Sequence, residues 1–386
     1  MDPIRLLHTA DLHLDHVLTD YGRSARAVRR ADLIATFNFL VDEAIRSDVK
    51  VLLVAGDLIC AASAAESTVR TVREGFARLG RALVQVAVAP GESEEHGDLA
   101  LLREACRPDN VHLFMGEEWS RFSPIQGVTI WGLRTANRNS DIPVLRSLIV
   151  EESGRHIGLM HATYADTPGE PISSITRDDL AAAGLDYLAL GHHHNRLNCS
   201  VGRAQCWYPG SPAHIGYETR GERHCLIVTM RDDGVRVSPL KVPSRAQRVV
   251  HMDVTGKTPD QMRKRLEELA DPDLCLNLEL QGRLEFEQTA CLACLEAEFA
   301  PRFLDLNVND DTVPSRSARP SDSVQGDDLE QALIRRAAGV LRRASVAGHD
   351  RAGGESAPIG GRVLSRGLKL CLRALREAPA SENRET

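Results

Sequence analysis

Aspartates and histidines close apolar runs at four places in this chain. Asp11 and His13 follow IRLLHTA, Asp57 follows VKVLLVAG, His161 ends HIGLMH, and His192, His193 and His194 follow YLALG. Each run reads as a β-strand. In a sheet of parallel strands the carboxyl ends gather along one edge, so these side chains can converge although they are far apart in sequence. Two carboxylates and four imidazoles suit divalent ions of the Mn, Fe or Zn type. An all-oxygen set would favour Mg or Ca. Two such ions, held about 3.5–4 Å apart by a shared carboxylate, activate a water, aim it in line at phosphorus and neutralise the phosphoryl oxygens. Phosphoester hydrolysis is the reaction such a set serves. The alternative, unrelated core histidines and helix-capping aspartates, is disfavoured by six ligand-type residues each ending a strand.

The elements that must position these residues alternate over the first 240 residues. IRLLHTA, VKVLLVAG and ALVQVAVAP read as strands separated by the helical patterns RAVRRADLIATFNFLVDEAIRS and AESTVREG-like sequence, which predicts an α/β domain. Further on, VHLF, VTIWG, HIGLMH, YLALG, CWYPG, HCLIVTM and GVRVSPL read as strands increasingly joined by tight turns, so a sheet with late hairpins is expected over a simple doubly wound one. After VPSRAQR comes a βαβαβ pattern: VVHMDVT, TPDQMRKRLEELA, LCLNLEL, FEQTACLACLEAEFA and FLDLNV. The domain expectation is 1–243, then a small module at 247–312, a Ser/Pro/Arg-rich linker at 313–326 and a basic helical tail at 327–386.

The chain has 386 residues, 47 of them Lys or Arg and 54 Asp or Glu, for a net charge of −7, which excludes a uniformly basic nucleic-acid binder. With 42% hydrophobic and 26% charged residues it reads as globular. Its apolar stretches are too short to cross a bilayer and its start lacks a signal-peptide core, so a cytoplasmic location with no membrane partner is expected. Nine cysteines without a spacing repeat fit reduced thiols, and Cys291 and Cys294 read as buried core residues rather than a zinc site. Between Leu333 and Arg376 basic residues outnumber acidic ones. Leu364, Leu368, Cys371 and Leu375 mark an apolar helical stripe there, which either folds back on the protein or docks on a partner's helices.

The blocks HTADLHLD, LLVAGD, GLMHATY, YLALGHHH and YPGSPAHIGYE resemble, in order and spacing, those of the calcineurin-like metallophosphoesterases, and within them the SbcD-type nuclease subunits and their YhaO-type relatives. The resemblance implies a four-layer α/β/β/α sandwich, a capping domain for the βαβαβ module, DNA as substrate, and a tail that holds an SbcC-like, SMC-type coiled-coil ATPase. A homodimer is compatible with it. It implies that Asp11, His13, Asp57 and His194 hold one ion and Asp57, His161 and His192 the other, manganese being the ion expected, with Asp57 as the bridge and the catalytic centre of the pair. His193 is left out, since its ring should point the other way. His8 is expected to orient a ligand through a hydrogen bond.

One block departs. Where the family shows Gly-Asn-His-Asp or Gly-Asn-His-Glu, this chain reads Gly91-Glu92-Ser93-Glu94-Glu95-His96. Glu92 takes the Asn position. As a ligand its charge would lower the positive excess that attracts a phosphodiester; otherwise it faces solvent with Glu94 and Glu95 as an acidic turn. Ser93 occupies the position of the catalytic His, where a positioned acid–base group is worth about 10²–10⁴ in rate. His96 is the nearby candidate to replace it. These departures support a second reading, a catalytically weakened subunit that binds DNA or the ATPase; a third is a small-molecule phosphoesterase. No Walker A or serine nucleophile elbow is present. Arg23, Arg26, Arg29 and Arg30 on the first helix are placed to meet DNA phosphates, or else are solvated. Trp207 and Tyr208 read as sheet packing rather than base stacking.

Overall fold

The computed structural model describes residues 3–95, 99–134, 144–150, 153–164, 175–284 and 286–314. His96, the expected linker from residue 315 on and the basic tail lie outside the described residues. The strands are β1 (Ile4–Thr9), β2 (Val51–Ala55), β3 (Gln85–Ala89), β4 (Val111–Leu113), β5 (Ser120–Ile125), β6 (Val128–Gly132), β7 (Arg155–His161), β8 (Tyr187–Gly191), β9 (Leu197–Asn198), β10 (Gln205–Tyr208), β11 (His224–Arg231) and β12 (Gly234–Lys241). Helices α1 (Arg23–Arg46), α2 (Glu66–Arg81), α3 (Glu92–Glu95), α4 (Leu99–Ala105) and α5 (Arg177–Ala182) lie between them.

Two six-stranded sheets form, ordered β12-β11-β1-β2-β3-β4 and β5-β6-β7-β8-β10-β9. In the first, β1 to β4 run parallel and the β11–β12 hairpin adds antiparallel to β1. In the second, β6, β7, β8 and β10 run parallel, with β5 and β9 antiparallel at the edges. The expected strands and late hairpins are present; the edge strands β5 and β9 were not anticipated.

Strand alternation sends successive side chains to opposite faces, and here it builds three cores. Leu7, Leu52, Val54 and Val86 pack with Leu33, Phe37 and Leu40 of α1 and Val72, Phe76 and Leu79 of α2. Their alternates Leu6, Leu53 and Ala87 pack against Ile130, Ile157, Leu159 and Tyr187 between the sheets. Met160, Leu188 and Leu190 face outward onto Leu145 and Leu180. Helix, sheet, sheet, helix is thus the layer order. Strands β2 and β8 are buried along their whole length, as parallel strands covered on both faces must be.

The remaining described elements are β13 (Gln247–Asp253), α6 (Pro259–Leu269), β14 (Asp271–Gln281), β15 (Arg283–Leu284), α7 (Phe286–Phe299), β16 (Phe303–Asp310) and β17 (Val313–Pro314). Strands pair as β13-β14-β16 and β15-β17. The chain divides into two compact units, one of residues 1–249, 270–277 and 300–307, the other of 250–269, 278–299 and those from 308 on. The cysteines of the described residues are free. Cys294 is exposed, which corrects the expectation that it is a buried core residue: Leu292, Leu295 and Phe299 of α7 are buried, and Cys294 falls beside them. Among the described residues no helix is long and apolar enough to cross a membrane.

His8 points with Leu6 into the layer between the sheets, where its Nδ1 is 2.8 Å from Tyr187 Oη. The bond therefore ties sheet to sheet, where the sequence suggested a bond to a ligand. Burial pushes His8 down to about 3, against a weaker pull from the Leu190 carbonyl. With the folded pKa lowered, the unfolded chain takes up the proton first as pH falls. The stability tied to neutral His8 is complete above about 6.5 and is lost between there and about 3. His8→Gln should flatten the loss of unfolding free energy between pH 7 and pH 5 by about 2 kcal/mol relative to wild type. Urea titrations at the two pH values measure it, and equal losses in the two proteins would contradict it.

Candidate metal centre

The parallel strands of both sheets deliver their carboxyl ends to one place. Past β1 and β2 the chain continues as two loops side by side: Asp11 N–H donates to Gly56 O (3.1 Å), His13 N–H to Asp57 O (2.8 Å) and Leu14 N–H to Leu58 O (3.0 Å). Asp11, His13, Asp57 and His192 all have positive φ, four of the eight such non-glycine residues among the described ones. Backbone strain thus concentrates where the candidate ligands are, a cost that the surrounding hydrogen bonds must offset. Gly56 and Gly91 are required by close approach. A Cβ at Gly56 would lie 2.3 Å from the His161 ring, and one at Gly91 would lie 2.2 Å from Asp57 Oδ1.

The ligand-type atoms converge as two groups, Asp11 with His13 and His194, and Asp11 with Asp57 and His161. His13 and His194 turn their Nε2 atoms toward each other at 3.2 Å. Asp57 Oδ2 faces both sides, 3.4 Å from His13 Nε2 and 3.7 Å from His161 Nε2. His161 Nδ1 is 3.0 Å from Ala55 O, which places the proton there and leaves Nε2 as the nitrogen with the lone pair. His192 donates its backbone N–H to Asp11 (3.0 Å to Oδ1), and its ring stands edge-on to His161 with centroids 5.4 Å apart, outside the two tight groups. His193 is exposed and its ring meets Tyr208. Tyr208 packs within the sheet, its hydroxyl donating to Ala162 O.

Electrostatics set the protonation pattern. Burial raises Asp11 to about 6, partly countered by His161. Burial also opposes charge on Asp57, but His161, His13 and the Ser93 N–H outweigh it and hold that carboxyl below its usual range. Burial takes His13 down to about 3 despite Asp57. His161 is raised, because Asp57 and Asp11 overcome its burial. Neutral imidazole nitrogens and carboxylate oxygens, aimed at a common space, are the donor chemistry that Mn, Fe or Zn requires. The residues therefore fit a pair of divalent ions.

The departing block shows what its residues do. Glu92 is exposed, with Oε1 4.0 Å from His192 Nδ1. Ser93 turns inward: its N–H donates to Asp57 Oδ1 (2.8 Å) and its Oγ lies 3.2 Å from His13 Nδ1. Glu94 is buried, and so does not belong to a solvent-facing turn. Its Oε1 accepts from Leu58 N (2.6 Å) and Ile59 N (2.9 Å), its Oε2 from Gly91 N (2.8 Å) and Asp57 N (3.1 Å). One carboxylate thus folds the loop that presents Asp57 onto the loop after β3. Its place as the acidic fourth residue of the block was the available signal. Two further residues escaped the sequence reading although they lie in YPGSPAHIGYE: Ser211 Oγ donates to Asp11 O (2.7 Å), and Glu218 Oε1 lies 3.7 Å from His194 Nδ1.

The arginine expectation needs correction. Arg29 is buried, ion-paired to Asp32 (2.6 Å), donating to His214 O (2.7 Å) and lying over the Tyr21 ring, so it is not available to DNA. Arg26 holds the Tyr21 and Thr19 carbonyls at the end of the first ligand loop. Arg23 and Arg30 are exposed.

Glu94→Ala leaves four backbone N–H groups without their acceptor, and at about 1–3 kcal/mol for each unsatisfied donor it should destabilise by at least about 4 kcal/mol. Glu94→Gln keeps one acceptor oxygen and should cost roughly half as much. Urea unfolding of the metal-free chain measures both; a change within about 0.5 kcal/mol of wild type for Glu94→Ala would contradict this role.

Residues 4–223 match the model of the family described as calcineurin-like phosphoesterase. The uncharacterized metallophosphoesterase YhaO of Bacillus subtilis is 28% identical over 238 residues, 58% of this chain and 57% of that protein. The DNA double-strand break repair proteins Mre11 of Methanopyrus kandleri and Methanosarcina mazei are 26% and 23% identical, over 57% and 66% of this chain and 51% and 40% of their own lengths. The chain thus spans about half the length of the curated relatives it matches. With the sandwich, the strand-end donors and more than half the chain in agreement, this protein belongs to the calcineurin-like phosphoesterase family.

Proposed function

We propose that this chain is a metal-dependent phosphodiesterase that hydrolyses DNA, with two divalent ions, manganese foremost, held by the strand-end donors. The observation that carries the reading is the convergence of Asp11, His13 and His194 with Asp57 and His161 where the carboxyl ends of the two sheets meet. In the proposed arrangement Asp11, His13, Asp57 and His194 hold one ion and Asp57, His161 and His192 the second. When bound, the ions supply Lewis acidity toward water and the phosphoryl oxygens. The chain's own residues do the positioning: Ala55 O fixes the His161 tautomer, Ser93 fixes His13 and Asp57, and Glu94 fixes the loop behind Asp57. DNA is favoured over small phosphate esters because two of the relatives carry the name of DNA double-strand break repair proteins. An SbcC-like ATPase partner for the tail belongs to the same reading.

A specific observation favours the second reading, a weakened catalyst. Ser93 sets its Oγ 3.2 Å from His13 Nδ1, where a metal-ligating Nε2 makes Nδ1–H the donor, and Glu92 is exposed; a serine hydroxyl is too weak an acid to protonate a leaving group, so the block lacks an acid of suitable pKa. Loss of such a group is worth about 10²–10⁴ in rate.

With Mn²⁺, the wild-type chain should cut linear or single-stranded DNA, and Asp57→Ala should reduce cutting by about 10²-fold or more. Inertness with every divalent ion tried would sink the nuclease reading. If Glu92→Asn with Ser93→His then restored cutting, the weakened-catalyst reading would take its place. Turnover of small diesters without any on DNA would promote the small-molecule phosphoesterase.

A further inference from the structure

Two polar side chains beyond the family-matched segment grip both loops that serve the metal centre. Gln247 opens β13 and Asp305 lies within β16; both belong to the first compact unit. Gln247 Oε1 accepts from Tyr21 Oη (2.7 Å), while its Nε2 donates to Gly216 O and Thr219 O, each at 3.0 Å. Asp305 Oδ1 accepts from Gly22 N (2.8 Å) and its Oδ2 from Tyr217 Oη (2.7 Å). Each side chain therefore holds the end of the 10–22 loop and the 211–219 loop at once.

The grip is buried and leaves little play. Tyr21, Tyr217, Thr219 and Asp305 are all buried, and the two tyrosine rings pack at 5.2 Å. Gly22 is needed for the approach, since a Cβ there would stand 2.9 Å from Asp305 Oδ1. Helix α1 has no capping side chain of its own at Gly22, so Asp305 supplies the acceptor at its start. Upstream of this clamp the first loop carries Asp11 and His13. The second carries Ser211, which holds the Asp11 carbonyl, and Glu218, which faces the His194 ring.

We propose that Gln247 and Asp305 are positioning residues of the metal centre: by clamping the two loops together they fix Asp11, His13 and the Glu218–His194 pair in ligand geometry. The inference rests on the metal reading above and extends the working site past residue 223. Residues that orient ligands from behind typically change metal affinity by about 10- to 100-fold when lost.

The test is Mn²⁺ titration calorimetry on the full chain after stripping with EDTA, with melting temperatures recorded in parallel. Asp305→Ala and Gln247→Leu should each weaken Mn²⁺ binding about tenfold. Asp305→Asn, which keeps an acceptor for Gly22 N–H and a polar partner for Tyr217 Oη, should stay within about threefold of wild type. Val72→Ala, which removes buried apolar atoms on the far side of the sheet, should lower the melting temperature and leave Mn²⁺ affinity unchanged. Should Asp305→Ala not fold, Gln247→Leu against Asp305→Asn decides the matter. Wild-type affinity in Asp305→Ala and Gln247→Leu, or an equal loss in Val72→Ala, would overturn the proposal. A wild-type chain that binds no Mn²⁺ would overturn the metal reading itself, and this inference with it.

Discussion

Asp11 and Asp57 place two carboxylates where the ends of two sheets meet, almost wholly shielded from water. A buried charge costs several kcal/mol unless it is paired and hydrogen-bonded, and the rest of the centre answers that cost. His192 N–H reaches Asp11 and Ser93 N–H reaches Asp57, while His161 stands between the two. Even so burial holds His13 and His192 toward the neutral form while His161 and His194 are raised, and the two carboxylates remain close together. In the proposed function a pair of divalent cations would complete this balance, and the positive-φ backbone at Asp11, His13, Asp57 and His192 is flanked by hydrogen-bonded loops. The sandwich below exists to bring parallel strand ends to that point.

Much of this was readable from residue order, and the parts that were not have local explanations. Apolar runs ending in Asp or His announced both the strands and the convergence, because parallel strands share an edge. The layer order, by contrast, came with the family resemblance, since alternation alone does not say which face meets which sheet. Arg29 was misread although a signal was present: it falls on the stripe Ala25, Arg29, Leu33, Phe37, four residues apart each time, which is the buried face of α1. Glu94 was misread for a different reason. A glutamate in an acidic tetrapeptide looks solvated unless one knows that three N–H groups of another loop, and one of its own, point at it. Gln247 and Asp305 lie more than two hundred residues from Tyr21 and Gly22, and no local pattern announces such a pairing.

The departing block gains a physical meaning from these contacts. The position where the family resemblance implies a catalytic histidine is here in contact with two candidate ligands, through the N–H of Ser93 to Asp57 and its Oγ beside His13. Ligand geometry and proton delivery are separable duties, and under the proposed function this chain keeps the first while the second has no evident bearer among the described residues. Metal binding and rate can therefore diverge: a well-formed centre is compatible with slow chemistry.

The central claim is that the strand-end donors hold two divalent ions, and it is tested most directly by metal stoichiometry without reference to turnover. Elemental analysis of the full chain, loaded with Mn²⁺ and dialysed, should find about two ions per chain in wild type and clearly fewer in Asp57→Asn, whose neutral amide no longer balances the pair. A wild-type chain that retains no ion, or an Asp57→Asn chain that retains as many as wild type, would contradict the account.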